Sequence, residues 1–351
     1  MMSSRGEYDG RGGEAPRTDG GQPTLKTIAF MTGLGVTTVS RALKDASDIS
    51  LDTRRRVQLV ARQIGYRPNR AGVRLRTGKT NVISLVLDTD EQLMGFVSDI
   101  ISGISGHLAA TPYHLIVTPY SRKSDPMDPI RYVVETHSAD GIILSRTEPE
   151  DARVRYLAER NFPFATHGRT SGSIAHAYHD FDNEAFARLA VDRLTALGRR
   201  RIALLAPPTR LTYHQHMLRG FRQGLAESPA REIPFTEASI DQPIEAIRDA
   251  ARSLAKRDER PDGFICASAA SALALVAGVE EAGLVIGKDF DVVSKQSANI
   301  LPLFRREIQV VNEDFRKAGD ELARSVLALI GGERPENLGS LYVPHAVQTG
   351  I

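Results

Sequence analysis

The chain has 351 residues, 25% of them charged and 41% hydrophobic, with a formal net charge of +2 and a single cysteine, Cys266. One cysteine excludes a disulfide framework and a zinc finger of the Cys-Cys-His-His type. The longest uncharged run, 263–279, is broken by Ser268 and Ser271, and it is shorter than the roughly 20 apolar residues a membrane span needs.

At about 150 residues per domain, the length predicts two or three domains. Residues 1–23 are rich in Gly, Arg and Asp with almost no apolar content, and read as a disordered leader. They lack the basic-then-apolar start of a secretory signal, so a cytoplasmic location is expected. From Thr24 to Thr80, twelve Lys and Arg stand against Asp45, Asp48 and Asp52, a surplus of nine. The leader carries −1, which leaves −6 on the remaining residues. A small basic module ahead of a large acidic one fits a protein in which only the first part neutralises phosphates. A solvated basic face would give the same count.

Within the basic module, Leu25, Ile28 and Ala29 give a short amphipathic helix that Gly33 interrupts. A second helix starts at Gly35-Val36 and buries Val39, Ala42 and Leu43. A third, capped by Ser50 or Asp52, carries the stripe Val57, Val60, Ala61 and Ile64 and ends at Gly65. Two short helices around a glycine-containing turn form a helix-turn-helix pattern. The second helix then presents Val36, Thr37 and Arg41 away from the core, as candidate base contacts. An arginine can grip guanine O6 and N7 with both prongs, and Val or Thr methyls can meet the thymine methyl. Ser40, Ser50, Thr53 and Asn69 are neutral donors suited to phosphate oxygens. Helix spacing alone also fits a plain three-helix bundle.

Thr24-Leu-Lys-Thr-Ile-Ala, Gly33, Thr38-Val-Ser-Arg-Ala-Leu43, Thr53-Arg54, Gly65-Tyr66 and Pro68-Asn-Arg70 fall in order over about fifty residues. In this the segment resembles the headpiece of the lactose-repressor (LacI/GalR) family. Gly35 stands where that family usually has a Ser or Thr cap. The resemblance implies a DNA-binding domain over 24–68 and a hinge over 69–80. The hinge would order on operator DNA, pair with its dimer mate and push Leu75 into the minor groove, kinking the duplex. Gly72 replaces the usual Ala there, at a cost of about 1 kcal/mol inside a helix.

The acidic module alternates strand and helix. Strands are predicted at 82–87, 113–117, 141–144, 164–166, 201–205, 263–266 and 291–293. Helices are predicted at 97–108, 129–136, 150–159, 184–197, 217–226, 244–255, 269–282 and 315–329. That order indicates parallel, doubly wound sheets, and the number of strands favours two similar lobes. Ligands of such sheets sit beyond the carboxyl ends of strands, which for two lobes means the cleft between them.

Ala139-Asp-Gly-Ile-Ile-Leu144, Asp182-Asn183, Leu197-Gly198, Arg219-Gly-Phe221 and Pro261-Asp-Gly-Phe-Ile265 extend the resemblance to the type-I periplasmic-binding-protein fold. Carried over, it implies a first lobe of 81–180 and 314–338 and a second of 181–313 and 339–351. Sugar-binding members place charged grips where this chain has His167-Gly-Arg169, Met217, Ser268-Ala269 and Ser294-Lys-Gln296. The expected ligand residues are therefore Asp88, His167, Arg169, Tyr213, Met217, Ser268 and Gln296. Tyr120, His214 and Lys295 stand nearby in the pattern. A carbohydrate is favoured, and Arg169 with Lys295 would also ease an anionic sugar derivative.

No Walker loop, dinucleotide fingerprint or Gly-x-Ser-x-Gly elbow is present. His214-Gln-His216 alone is a poor metal motif. The expectation is a non-enzymatic, homodimeric transcriptional repressor of operator DNA, without cofactor or metal, controlled by a small ligand in the cleft. A solute-binding protein for carbohydrate uptake is the alternative.

Overall fold

The computed structural model describes residues 23–67, 78–88, 95–121, 123–297 and 299–348. The chain forms two compact units that divide between Thr80 and Asn81.

In the first unit, α1 (Leu25–Thr32), α2 (Val36–Ala42) and α3 (Leu51–Gln63) enclose a core of Ile28, Ala29, Val39, Ala42, Val57 and Ala61. Thr24 and Thr27 cap α1 reciprocally, and Gly33 ends it in the left-handed conformation (φ 66°). Gly35 begins α2 with no side-chain cap bond, the consequence expected of glycine at that position. The Ser50 hydroxyl caps α3 by accepting from Thr53 N.

The second unit runs β1 (Val82–Asp88), α4 (Phe96–Leu108), β2 (His114–Tyr120), α5 (Asp128–Glu135), β3 (Gly141–Leu144), α6 (Ala152–Glu159), β4 (Phe164–His167) and β5 (Ala177–Phe181). It continues with α7 (Asn183–Ala196), β6 (Arg201–Leu205), α8 (Thr212–Ala226), β7 (Arg231–Glu232), α9 (Ile244–Ala255), β8 (Gly263–Cys266) and α10 (Ala269–Glu281). Last come β9 (Asp291–Gln296), α11 (Leu301–Phe304), β10 (Gln309–Asn312), α12 (Phe315–Ile330) and β11 (Gly339–Tyr342). Two sheets result, β11-β5-β4-β3-β1-β2 and β10-β9-β8-β6-β7. Every strand pair in both is parallel.

β1 shows why the first sheet is covered on both faces. All seven of its residues are buried. Ile83, Leu85 and Leu87 join the core that includes Phe96, Ile100 and Leu322, while Val82 and Val86 join the one that includes Ile130, Val133 and Leu157. Alternate side chains thus feed opposite layers, the pattern of a sheet packed between helices. The second sheet is enclosed in one large core around Phe221, Phe264, Leu275 and Phe290.

Helix pairs close against these sheets with little room between backbones. A Cβ on Gly220 of α8 would collide with the carbonyl of Glu184 at the start of α7. The glycine in the Arg219-Gly-Phe221 motif is therefore a packing requirement.

The chain passes between sheets after β5 and after β10, and Gln348 bridges back to Val310 of β10. One assignment is corrected. Residues 339–342, expected in the second lobe, form β11 and pair with β5 in the first sheet. The return to the second lobe therefore falls between Tyr342 and Gln348, later than the pattern suggested. β5, β7, β10 and β11 were not individually predicted. They are short, and Ala-Tyr-His-Asp-Phe and Gly-Ser-Leu-Tyr carry too few apolar residues to stand out.

Candidate functional site

Two regions carry the predicted chemistry, one in each unit. On the headpiece, Val36, Thr37 and Arg41 are exposed on α2 while Val39 and Ala42 are buried, so the helix shows the face the pattern assigned to it. Ser40 is half-buried. The Arg41 guanidinium is ion-paired with Asp48. Ser50 and Thr53 share a hydroxyl–hydroxyl bond of 2.8 Å at the start of α3. Asn69, Gly72 and Leu75 lie outside the described residues.

In the core, the carboxyl ends of strands from both sheets converge on a cleft with two chambers. The inner one, about 50 Å³, is lined by Phe96, Ser145, Arg146, Thr147, His167, Gly168, Arg169 and Asp180 from the first lobe side. Asn183, Tyr213, His216, Ala267, Lys295, Glu313 and Phe315 complete it. Its lysine is engaged by neighbours, whereas Asp180 Oδ2 and His216 Nδ1 are buried without a hydrogen-bond partner. The Lys295 ammonium donates to Asn183 Oδ1 at 2.8 Å and Glu313 Oε2 at 2.7 Å, and lies 4.8 Å from the Phe181 ring. Arg169 Nε stands 3.4 Å from Asp180 Oδ2. His167 packs against Phe96 and Phe315, with ring centroids at 5.3 and 5.6 Å.

Burial governs the titration of this chamber. It pushes the Asp180 carboxyl up to about 7, against the opposing pull of Arg169. Burial also holds His167 down at about 4 despite Glu313. His216 is lowered to about 4 by burial and by the Arg169 and Arg219 charges. Both imidazoles are therefore neutral near pH 7, and Asp180 is poised between its two forms.

The outer chamber, about 440 Å³, is lined by Asp88, Tyr120, Ser124, Pro126, Met127, Arg146, Glu148, Asp151, Ala152 and Arg153, with Arg210 and Asp241 from the other lobe. Arg146 lines both chambers. This residue directly follows β3 and its neighbour Ser145 in the left-handed conformation, φ 58°. Its guanidinium ion-pairs with Asp241 of the second lobe and lies 3.4 Å from Asp88 of the first. Two further contacts tie the lobes. The Thr147 carbonyl accepts from Thr212 N at 2.9 Å and Thr212 Oγ1 at 3.1 Å. Arg210 donates to Glu148 at 2.8 Å.

The expected ligand residues therefore separate. His167, Arg169 and Tyr213 line the inner chamber and Asp88 the outer one. Ser268 and Gln296 line a small neighbouring cavity. The Ser268 hydroxyl caps α10, and the Gln296 amide is bonded to Asn299, Asn312 and Leu301 N. Met217 faces neither chamber. It is fully buried in the second-lobe core, as an unbranched apolar side chain prefers. Cys266 is likewise buried, which pushes its thiol up. Sequence reasoning missed Arg146, Asp180, Arg210 and Asp241. Arg146 was within reach of the strand-end rule, being two residues past Leu144. Asp180 was hidden because β5 was not recognised.

A helix-turn-helix headpiece in one chain with a two-lobed α/β core, cleft at the strand ends, defines a ligand-responsive transcriptional regulator. Residues 24–69 match the bacterial regulatory proteins of the lacI family, and residues 191–348 match the periplasmic binding protein-like domain. The chain is 32% identical to the HTH-type transcriptional regulator RafR of Escherichia coli, over 92% of this chain and 96% of that protein. It is 30% identical to the HTH-type transcriptional regulator AglR of Rhizobium meliloti, over 89% and 90% respectively. The fold is shared with the transcriptional regulator CelR in its cellobiose complex, with a TM-score of 0.69 and 24% identity over 93% of this chain and 99% of that one. The chain belongs to the LacI family of bacterial regulatory proteins. Its relatives are transcriptional regulators. Among the described residues no helix is long and apolar enough to cross a membrane.

Proposed function

We propose that this chain is a repressor that binds a pseudo-palindromic operator as a homodimer in the cytoplasm, has no catalytic activity, and is controlled by a carbohydrate in its cleft. The observation that carries the reading is the cleft itself. Its walls come from both lobes, and Arg146–Asp241, Thr147–Thr212 and Glu148–Arg210 span it. A ligand there touches both lobes, so it can prefer one lobe arrangement over another. Such differential affinity is what an effector needs in order to shift a population. The cellobiose bound by CelR supports a sugar as the ligand class.

On the headpiece, Arg41, Val36 and Thr37 would read base edges, and Ser40, Ser50, Thr53 and Asn69 would contact phosphates. Gly72 and Leu75 would belong to a hinge at the minor groove. His167, Arg169, Tyr213 and Asp88 remain candidate cleft residues, and Ser268 and Gln296 would act from behind the chamber wall.

Selection of duplexes from a random pool by the purified full chain tests the DNA half. A two-fold symmetric sequence should emerge, with binding that weakens steeply as salt rises. Enrichment of no sequence would refute it.

A further inference from the structure

Three contacts that tie the lobes leave the first lobe from three consecutive residues. Arg146 pairs with Asp241, the Thr147 carbonyl accepts from Thr212 N at 2.9 Å and Thr212 Oγ1 at 3.1 Å, and Glu148 accepts from Arg210 at 2.8 Å. All three belong to the connection between β3 and α6, residues 145–151. The central contact is the protected one. Thr147 and Thr212 are both buried, whereas Glu148 and Arg210 are about half exposed, and exposed pairs add little. A grip carried by so short a stretch works only while the stretch keeps its shape.

The loop does not keep that shape by itself. Arg146 stands at φ 58°, in the left-handed region that residues with a side chain seldom adopt. Such strain persists only where the surroundings over-determine it. Here the surroundings are Arg153, in the first turn of α6, and its partner Asp151. Arg153 Nη2 donates to the Ser145 carbonyl at 3.1 Å and to the Arg146 carbonyl at 2.9 Å. The same guanidinium donates to Asp151 Oδ2 at 2.7 Å and Oδ1 at 3.0 Å. Asp151 Oδ2 in turn accepts from Glu148 N at 3.1 Å. The buried Asp151–Arg153 pair therefore clamps the backbone on both sides of Thr147, whose hydroxyl donates to the Arg169 carbonyl at 3.1 Å. Every acceptor of the clamp lies in the first lobe. A guanidinium serves such a set because its donors are fixed in one plane.

We infer that residues 145–151 are the latch that sets lobe closure, and that Asp151 and Arg153 are its positioning residues, governing contacts they do not make. The regulatory meaning rests on the cleft reading above. The test needs neither sugar nor DNA, so the latch and that reading can fail separately. It is amide hydrogen exchange of the free full chain, followed at Thr212, whose N–H closes the latch, and at Ile265 in β8 of the same lobe. Arg153→Lys keeps the charge beside Asp151, so the core should fold, but a single ammonium cannot reach all the acceptors of the clamp. Exchange at Thr212 should quicken at least about fivefold, the equivalent of one hydrogen bond, while Ile265 stays within about twofold of the parent. Asp151→Asn, a side chain that also caps helices, should act in the same direction. Equal acceleration at Thr212 and Ile265 would make the pair a general stabiliser. No acceleration at Thr212 in either variant would mean that the loop holds its shape without the clamp. Either result would overturn the inference.

Discussion

Arg146 and Asp241 form a buried ion pair across the cleft, with side-chain exposures of 5% and 14%. The same guanidinium stands beside Asp88, whose side chain is 1% exposed. Removing the arginine would leave one carboxylate almost wholly buried without its counter-charge. Arg146→Ala should therefore destabilise the core by about 3 kcal/mol, read as a lower urea midpoint. Asp241→Asn, whose partner keeps Asp88, should cost less. Equal losses from the two variants would mean that Asp88 does not depend on Arg146.

Asp180 makes stability depend on pH in a definite direction. Its carboxyl titrates near 7 in the folded chain because it is buried, well above the ordinary aspartate value of 3.8. Below pH 4 it is protonated in both states and nothing is lost. Between 4 and 7 the unfolded chain releases the proton while the folded chain retains it, so stability falls as pH rises and levels off above 7. Asp180→Asn cannot ionise. The melting temperature of the variant minus that of the parent should grow from pH 5 to pH 7.5. A difference constant across that range would show that Asp180 is ionised throughout.

Glycine-to-alanine substitutions should change sign with position. At Gly220 a methyl meets the Glu184 carbonyl, and overpacking of that kind costs about 1–3 kcal/mol. At Gly106, on the exposed side of α4, a Cβ has open space, and alanine should stabilise by roughly 0.5–1 kcal/mol. Chemical denaturation of both variants decides it. Destabilisation of similar size at the two sites would contradict the close approach of α7 and α8.

Arg41 is exposed on α2 and paired with Asp48 in the structure. Both side chains are about half exposed, and such surface pairs are weak, so the guanidinium is readily released to DNA. Arg41→Ala should lose about 1–3 kcal/mol of discrimination at one base pair. A uniform loss across all base substitutions would make Arg41 a phosphate contact.

The fold was largely legible because periodicity reports burial. Runs such as Val82–Leu87 and stripes such as Val57, Ala61 and Ile64 are apolar for packing reasons that hold locally. The edges of the pattern were harder. The first turn of α8, Thr212-Tyr-His-Gln-His, has no apolar stripe, so the helix starts five residues before the predicted Met217. β11 joins the first sheet through pairing with β5, which no local signal encodes. The cleft was legible only as a place. Which side chains reach it depends on where lobes meet, and Arg146, Arg210 and Asp241 are brought together from segments far apart in sequence. Met217 shows the converse, a family position whose changed chemistry turned the side chain into core.

The most direct test of the whole account is the affinity of the purified chain for its selected operator duplex, measured at fixed salt with and without the sugar that binds most tightly. The account predicts a change of at least about tenfold in Kd, a coupling of roughly 1.4 kcal/mol. An operator affinity that is the same at zero and saturating sugar would contradict it.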